Sequence, residues 1–218
     1  MKILAIRGKN LASLEKEFEV DFTVEPLKSA GLFAITGSTG SGKSTLLDAR
    51  CLALFDASPR TSRASENIPV HDVGDKTINQ RDSRNILRRG ATEGYAEVDF
   101  ISLGGETYRT RWAVRRARNK ADGSLQSSEI RLYNLSKKKE EQGLKTELLI
   151  KISWLIGLSF DQFTRSVLLA QGDFATFLKA KQTEKAELLE KLTGTDIYSR
   201  ISIAIYEKTK AAEAAWAL

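Results

Sequence analysis

The stretch that decides the fold is Gly37-Ser38-Thr39-Gly40-Ser41-Gly42-Lys43-Ser44. It fits the pattern G-x-x-x-x-G-K-[ST], in which glycines let backbone N–H groups converge on phosphate oxygens. Residues 31–36 before it form a continuous apolar run, which predicts a central strand buried on both faces. Residues 45–55 after it contain no Gly or Pro and carry apolar residues at helical spacing. Strand, glycine loop and helix are the required context, so the sequence predicts a nucleoside triphosphate site.

The chemistry of this motif gives each residue type a role. Lys43 can reach the β- and γ-phosphates, and the Ser44 hydroxyl is the expected ligand of Mg²⁺. The helix N-terminus adds a partial positive charge that favours phosphate. We therefore expect ATP and Mg²⁺ as cofactors. The residues expected to contact them here are Gly37, Ser38, Thr39, Gly40, Ser41, Gly42, Lys43, Ser44 and Thr45.

Composition limits the remaining possibilities. The 218 residues allow one large domain or two small ones, and the single cysteine excludes an internal disulfide. No apolar run approaches membrane-spanning length, and the N-terminus is typical of a strand rather than a signal peptide. These features predict a cytoplasmic protein without a membrane partner.

The basic charge is concentrated in one part of the chain. Residues 81–120 hold ten basic and five acidic side chains, so this window carries +5 of the net charge of +6. A basic surface of this kind favours a polyanion partner, nucleic acid before membrane. A solvated, salt-bridged sheet face explains the same charges equally well.

Alternating patterns predict an antiparallel subsheet beside the phosphate loop. In residues 107–115 the alternation places Tyr108, Trp112 and Val114 on one face. Arg109, Arg111 and Arg115 lie on the other, where they could meet a DNA backbone without reading its sequence. Residues 56–85 lack periodicity and are predicted as a surface excursion, and residues 137–139 as a polar loop. The other predicted strands are residues 2–7, 18–22, 96–101 and 129–134.

The last third of the chain is predicted to be helical. A helix over residues 146–156 ends at Gly157, and Ser159-x-x-Gln162 resembles a capping box that starts the next helix. Residues 171–173 interrupt that helix, and Thr183 can cap a third. The final stretch has no stop signal, so we expect it to continue into a longer helix such as a coiled coil.

Several segments together resemble a known family. They are Lys9-Asn10-Leu11-x-Ser13-Leu14, Gly31-Leu-Phe-Ala-Ile-Thr-Gly37, Leu46-Leu-Asp-Ala49, Cys51-Leu-Ala-Leu54, Phe163-Thr-Arg-Ser166, Leu169-Ala-Gln-Gly172 and Leu192-Thr-Gly-Thr195. In this order they are similar to the N-terminal segment of the SbcC family, which comprises ATPase subunits of bacterial SbcCD nucleases and is related to SMC proteins. The resemblance covers essentially the whole chain.

The resemblance implies an α/β fold, namely the N-terminal half of an ABC-type ATPase head with an antiparallel subsheet and a helical lobe. Residues 1–182 would form this half-head, and residues 183–218 would lead into the base of a coiled coil. In the family, a zinc hook tips the coiled coil, and a C-terminal half supplies the signature motif and the Walker B acids.

Further site residues follow from the resemblance alone. Gln171 matches the family glutamine that reaches Mg²⁺ and the nucleophilic water. The turn from Asn10 to Ser13 matches a segment that approaches the phosphates, although Ala12 replaces an Arg found in some relatives. Arg89, Gly90 and Ala91 occupy a segment that lies by the nucleotide in relatives.

The family also implies partners and a mechanism. Two heads, each completed by its C-terminal half, would close around two ATP molecules and gate DNA access to the nuclease SbcD, at the nucleoid. Because this chain has no convincing Walker B strand or signature motif, we expect it to hydrolyse ATP poorly by itself.

Three other functions remain open from the sequence. They are an SMC-like clamp that tethers DNA without a nuclease, a transporter ATPase subunit, and a nucleotide-binding module without a DNA role. The helical C-terminal stretch and the basic sheet argue against the transporter. Whether ATP changes the affinity for DNA would identify the simple module.

Overall fold

The computed structural model describes residues 1–62, 68–166 and 196–216. The chain divides into two compact units, Met1–Phe160 and Asp161–Leu218. Within the described residues, the strands are β1 (Lys2–Lys9), β2 (Phe18–Asp21), β3 (Pro69–His71), β4 (Thr77–Asn79), β5 (Glu93–Ile101), β6 (Thr107–Arg115), β7 (Glu129–Asn134) and β8 (Lys139–Glu141). The α-helices are α1 (Lys43–Phe55), α2 (Pro59–Ser62), α3 (Lys145–Ile156), α4 (Phe160–Ser166) and α5 (Asp196–Trp216).

The first unit is built on a six-stranded antiparallel sheet of order β2-β1-β5-β6-β7-β8. Strands β5, β6, β7 and β8 lie side by side in chain order, as in a meander. In the β5–β6 register, Glu97 lies opposite Arg111 and Asp99 opposite Arg109. The register therefore places acidic and basic side chains side by side on one face of the sheet.

The other face of the sheet forms the core. Trp112 and Val114 of β6 are buried there, as are Val98 of β5 and Leu132 of β7, and α1 and α3 pack against this layer. Cys51 on α1 is also fully buried, and burial raises the pKa of its thiol to about 12. The predicted alternation of β6 and the α/β fold class are thus confirmed.

The predicted strand over residues 31–36 is not present. The structure gives this run no strand, and Leu32 is 94% exposed, with Phe33 and Ile35 about half exposed. A strand needs a neighbour that satisfies its backbone hydrogen bonds. In the described part of the chain no strand pairs with this run, so its apolar character alone does not make it one.

Two polar regions contain more structure than their composition predicted. The excursion over residues 56–85 includes α2 and the hairpin of β3 and β4, and β8 begins in the predicted loop at Lys139. These strands have three residues each, which is too short for a periodic signal. The predicted end of α3 at Gly157 is confirmed, since Gly157 has a φ of 77° and closes the helix.

The second unit is described through the rest of α4 and through α5. The side chains of residues 201–210 on α5 are exposed, including Ile201, Ile203, Ile205 and Tyr206. The predicted helix after Thr183 lies outside the described residues, as does the interruption at residues 171–173. None of the helices that the structure describes is long and apolar enough to cross a membrane.

Candidate nucleotide-binding site

The phosphate loop, residues 37–44, has a conformation that only glycine allows at two positions. Gly40 and Gly42 have φ values of 84° and 92°, in the region where a side chain is strained. A Cβ on Gly42 would lie 2.4 Å from Cδ2 of Leu14, and a Cβ on Gly37 would lie 2.7 Å from Oγ of Ser41. Glycine therefore allows both the turn and the close approach of the chain to the loop.

The N-terminus of α1 is open to an anion. Its N-cap is Gly42, which offers no side-chain cap, and its first turn contains no acidic residue. The first backbone N–H groups of a helix have no partner within the helix, and the helix dipole places partial positive charge there. The geometry fits a phosphate group, and no carboxylate in the first turn competes with it.

Lys43 is held over the loop by the loop itself. Its Nζ donates to the carbonyl oxygens of Gly37 and Ser38 at 2.7 Å each, and lies 3.5 Å from Oγ of Ser41. An ammonium group has three donors. The two short bonds fix the charge at the loop and leave donor capacity for a phosphate oxygen.

The turn from Asn10 to Ser13 directly follows the C-terminal end of β1 and lies against the phosphate loop. Ser13 Oγ lies 3.3 Å from the position that a Cβ on Gly42 would take, beside the contact of Leu14. Asn10 and Ala12 adopt left-handed φ values of 53° and 45°. The amide of Asn10 donates to the backbone oxygen of Glu93 at 2.8 Å, so this side chain fixes the turn to β5.

Arg88 holds the same turn from a second side and was not singled out by the sequence. Its backbone N–H donates to the oxygen of Asn10 at 2.9 Å, and its Nη1 lies 3.2 Å from the oxygen of Ser13. Its Nη2 also pairs with Glu15. The only sequence signal was its place in the basic window, which does not distinguish it from its neighbours.

The segment of Arg89, Gly90 and Ala91 follows directly as a tight turn. The N–H of Ala91 donates to the oxygen of Arg88, and Gly90 has a φ of 81°. The guanidinium of Arg89 donates to the backbone oxygen of Asp72 at 2.9 Å. The structure thus joins this segment to the Asn10 turn through Arg88, while the Arg89 side chain is directed to the end of β3.

Helix α1 carries a buried carboxylate that the sequence analysis did not assign. Asp48 is almost fully buried one turn beyond Ser44 and pairs with Nη2 of Arg60 on α2 at 2.8 Å. Burial raises the pKa of the Asp48 carboxyl, against the opposing effect of Arg60. This pair joins the phosphate-loop helix to α2.

The three arginines expected to contact DNA have different surroundings. Arg109 donates to both oxygens of Asp99, at 2.6 and 2.7 Å, and Arg111 pairs with Glu97 at 3.1 Å. Burial alone would raise the pKa of Asp99, but hydrogen bonds from Arg109 and Arg7 hold it below its ordinary value. Arg115 is exposed and has no ion pair among the described residues. Arg109 and Arg111 therefore belong to the salt-bridged sheet face that the sequence analysis gave as the alternative to a polyanion-binding surface.

Gln171, expected at Mg²⁺ and the attacking water, lies outside the described residues. Ser44 lies in the first turn of α1, directly after Lys43, as the motif requires. Among the described residues, no group of three His, Cys, Asp or Glu side chains could hold a metal ion. Of the two residues expected at Mg²⁺, the structure therefore describes Ser44 and not Gln171.

Comparisons with known proteins show which family the chain resembles. The model of the AAA domain family matches residues 5–215. The chain is 53% identical over 214 residues to the SbcC subunit of the nuclease SbcCD from Pseudomonas aeruginosa, and 48% identical over 217 residues to that from Rhodobacter capsulatus. It is 29% identical over 202 residues to a probable DNA double-strand break repair Rad50 ATPase of Aquifex aeolicus.

These matches cover 98%, 98% and 92% of this chain but only 18%, 17% and 17% of the relatives. The chain therefore spans less than a fifth of the length of the curated relatives it matches. The resemblance to the N-terminal segment of the SbcC family is confirmed.

Proposed function

The chain belongs to the AAA domain family, and we propose that it forms the ATP-binding half of an SbcC-type ATPase head within a DNA nuclease complex. In this proposal, ATP binding and hydrolysis gate the access of DNA to an SbcD-type nuclease during DNA repair and hairpin processing. The observation that carries it is the phosphate cradle formed by Gly37, Gly42 and Lys43 at the open N-terminus of α1.

Each residue of the phosphate cradle has a role in binding ATP and Mg²⁺ in this proposal. Loop N–H groups and Lys43 bind the phosphates and offset their charge, and Ser44 contributes a hydroxyl ligand to Mg²⁺. Bound Mg²⁺ supplies further charge neutralisation at the phosphates. The turn from Asn10 to Ser13 closes one side of the loop. Gln171 orients the attacking water, and residues 89–91 line the site in this proposal.

The exposed run at residues 31–36 supports a head completed by a second segment. Leu32, Phe33 and Ile35 expose apolar surface directly before the phosphate loop, where a central strand was predicted. A C-terminal half that adds a neighbouring strand would bury this surface and bring the Walker B acids to the γ-phosphate. By itself the chain binds ATP and turns it over slowly or not at all.

Helix α5 supports the proposed organisation of the whole protein. Its exposed Ile201, Ile205 and Tyr206 provide an apolar surface for a second helix. We propose that residues 1–182 form this half of the head and that residues 183–218 lead into the base of a coiled coil. The protein acts in the cytoplasm, at the nucleoid. The partners are the C-terminal half, a second head, SbcD and DNA bound without sequence specificity.

The test is to measure ATP hydrolysis and ATP-dependent dimerisation of the chain with and without the matching C-terminal half. Both should appear only with the two halves together, and Lys43→Ala should abolish hydrolysis. Robust turnover by the chain alone, removed by Lys43→Ala, would show a complete ATPase and contradict the split head. An assembly that binds DNA in response to ATP but recruits no nuclease would favour the clamp.

A further inference from the structure

The turn from Asn10 to Ser13 is held in shape by its own backbone. Leu11 N–H donates to the oxygen of Leu14 at 2.9 Å, and Leu14 N–H donates to the oxygen of Leu11 at 2.8 Å. The Leu11 side chain is fully buried, whereas the Leu14 side chain reaches the phosphate loop at Gly42. Because these bonds keep the turn in one shape, whatever fixes its position also fixes where Leu14 and Ser13 meet the loop.

Backbone hydrogen bonds to residues 86–88 join this turn to the rest of the unit. Ala12 N–H donates to the oxygen of Ile86 at 2.7 Å, and Arg88 N–H donates to the oxygen of Asn10 at 2.9 Å. Both bonds use backbone atoms alone. A substitution of the Arg88 side chain therefore leaves the donors and acceptors of both bonds in place.

The guanidinium of Arg88 adds a second set of contacts to the same turn. Its Nη1 donates to the backbone oxygens of Ala12 at 3.4 Å and Ser13 at 3.2 Å, and its Nη2 pairs with Glu15 at 3.3 Å. A guanidinium is a planar fork whose donors point in fixed directions, so it can hold several acceptors at once. These contacts fix the half of the turn that lies next to the phosphate loop.

The neighbouring Arg89 has a different partner. Its Nη1 donates to the backbone oxygen of Asp72 at 2.9 Å, directly after β3. The two consecutive arginines thus hold different parts of the unit. Arg89 contacts the hairpin of β3 and β4, and Arg88 contacts the turn beside the phosphate loop.

We propose that Arg88 is a positioning residue for ATP, whose guanidinium holds the turn from Asn10 to Ser13 in the place that binds the nucleotide. This role rests on the proposed function, which supplies ATP as the ligand. Without the guanidinium, the turn occupies this place for a smaller fraction of the time, and the apparent affinity for ATP falls accordingly. Bound ATP restores the position of the turn, so the loss is one of affinity and not of catalysis.

The test measures the ATP affinity of the variant Arg88→Met by titration with a fluorescent ATP analogue. Methionine keeps an unbranched apolar chain and removes every hydrogen-bond donor of arginine. We expect Kd to rise roughly 5- to 20-fold, because hydrogen bonds from a charged group are lost at a partly exposed side chain. With the matching C-terminal half present, the KM for ATP should rise while kcat stays close to that of the parent.

Hydrogen exchange without nucleotide distinguishes positioning from a general loss of stability. The amides of residues 10–14 should exchange faster in Arg88→Met, whereas those of β5 and β6 should exchange as in the parent chain. Saturating ATP should restore most of the protection at the turn, because the ligand and the turn stabilise each other. Equal acceleration at the turn and in both strands would show a purely structural role for Arg88 and overturn the proposal.

Two further substitutions make the result specific. Arg88→Lys keeps the charge but lacks the fork, so it should recover only part of the affinity. Full recovery would show that positive charge near the phosphates is sufficient, and would also overturn the positioning role.

Arg84→Met is the matched control. Arg84 lies four residues before Arg88, and its guanidinium bonds Asp82 and the backbone oxygen of Gln126 rather than the turn. The ATP affinity of this control should stay within about twofold of the parent value. A loss as large as that of Arg88→Met would contradict a specific role for Arg88.

The outcomes also separate this role from the proposed function. If the parent binds ATP and Arg88→Met binds it equally tightly, Arg88 has no positioning role, while the ATP-binding function stands. If the parent does not bind ATP, the positioning role and the proposed function both fail. A fall in kcat with an unchanged KM would place Arg88 in the chemical step and overturn the positioning role.

Discussion

Asp72 and Arg116, 44 residues apart, form a bidentate ion pair in which the side chains are only 8% and 2% exposed. Asp72 follows β3 in the region predicted as a surface excursion, and Arg116 follows β6 of the main sheet. The backbone oxygen of Asp72 also accepts from Arg89. Asp72 thus connects the β3–β4 hairpin to the connection that follows β6 and to the segment next to the Asn10 turn.

Breaking this pair should destabilise the first unit strongly. The substitution Arg116→Ala leaves the Asp72 carboxylate buried without its partner, which costs about 3 to 5 kcal/mol in the free energy of unfolding. Urea denaturation followed by circular dichroism measures it. The control is Arg131→Ala, whose pair with Glu129 is more than half exposed on both sides and should contribute below about 1 kcal/mol. Equal effects of the two substitutions would contradict the importance of burial.

Gly42→Ala should impair ATP binding through the contact with Leu14. The new Cβ meets both a φ of 92° and the Leu14 side chain at 2.4 Å, so the loop must shift. We expect ATP affinity to fall roughly tenfold or more, since phosphate contacts need precise placement. Titration with a fluorescent ATP analogue measures the change.

Two controls separate the causes in the Gly42 experiment. Gly74→Ala, at a φ of 56° with open space around it, adds backbone strain of about 1 kcal/mol away from the site and should leave ATP affinity unchanged. Adding Leu14→Ala to Gly42→Ala should restore part of the affinity, because it removes the clash. Without any restoration, the contact with Leu14 would not be the cause.

Asp56 should be a major source of stability at the C-terminal end of α1. Its Oδ1 accepts from Trp112 Nε1 at 2.5 Å and from Ser83 Oγ at 2.9 Å, and its Oδ2 pairs with Lys145. Asp56→Ala removes these partners and should cost about 2 to 4 kcal/mol in unfolding free energy. Thermal and urea denaturation measure the loss.

Asp56→Asn provides the matched comparison. The amide oxygen can still accept from Trp112, and Asn tolerates the left-handed φ of 51° at this position. The negative charge opposite Lys145 is lost, and an NH₂ donor takes the place of the acceptor Oδ2, which together should cost about 1 to 2 kcal/mol at a partly exposed site. If Asp56→Asn were as damaging as Asp56→Ala, the ion pair with Lys145 would dominate and the hydrogen bond from Trp112 would contribute little.

Low pH should lower the stability of the sheet near the connection between β5 and β6, because Glu106 lies there. Hydrogen bonds from Lys137, Tyr108 and Asn134 lower the pKa of Glu106 to about 2, from an ordinary value of 4.5. Because the folded pKa is depressed, the stabilisation is fully present above the unfolded pKa and is lost as the pH falls through 4.5 towards 2.

Glu106→Gln reports on this titration directly. The variant should be less stable than the parent at neutral pH, and the difference should shrink progressively as the pH is lowered below about 4.5. Denaturation midpoints of both proteins over this pH range measure the effect. A difference that stayed constant with pH would show that the Glu106 carboxylate is not favoured by its neighbours in the fold.

The predictions from sequence patterns were confirmed where residues close together in the chain determine the backbone conformation. The alternation of residues 107–115 gave β6 with Trp112 inside and Arg109 outside, because one face of the sheet is covered and the other is wet. The glycines of the phosphate loop predicted a turn that other residues strain to adopt. The apolar run at residues 31–36 failed as a strand, since its apolar residues cannot supply the neighbouring strand it needs.

The sequence by itself determined the phosphate loop, the helix after it, the strand pattern of the meander and the family resemblance, since each depends on residue spacing within one segment. Only the tertiary structure decided that Leu14 packs on Gly42, that Arg88 holds the turn of Asn10, and that Asp72 pairs with Arg116. It also separated the paired Arg109 and Arg111 from Arg115, which has no ion pair in the described part of the chain. Such contacts join residues distant along the chain, and the register of the strands, which composition does not encode, sets which charges meet.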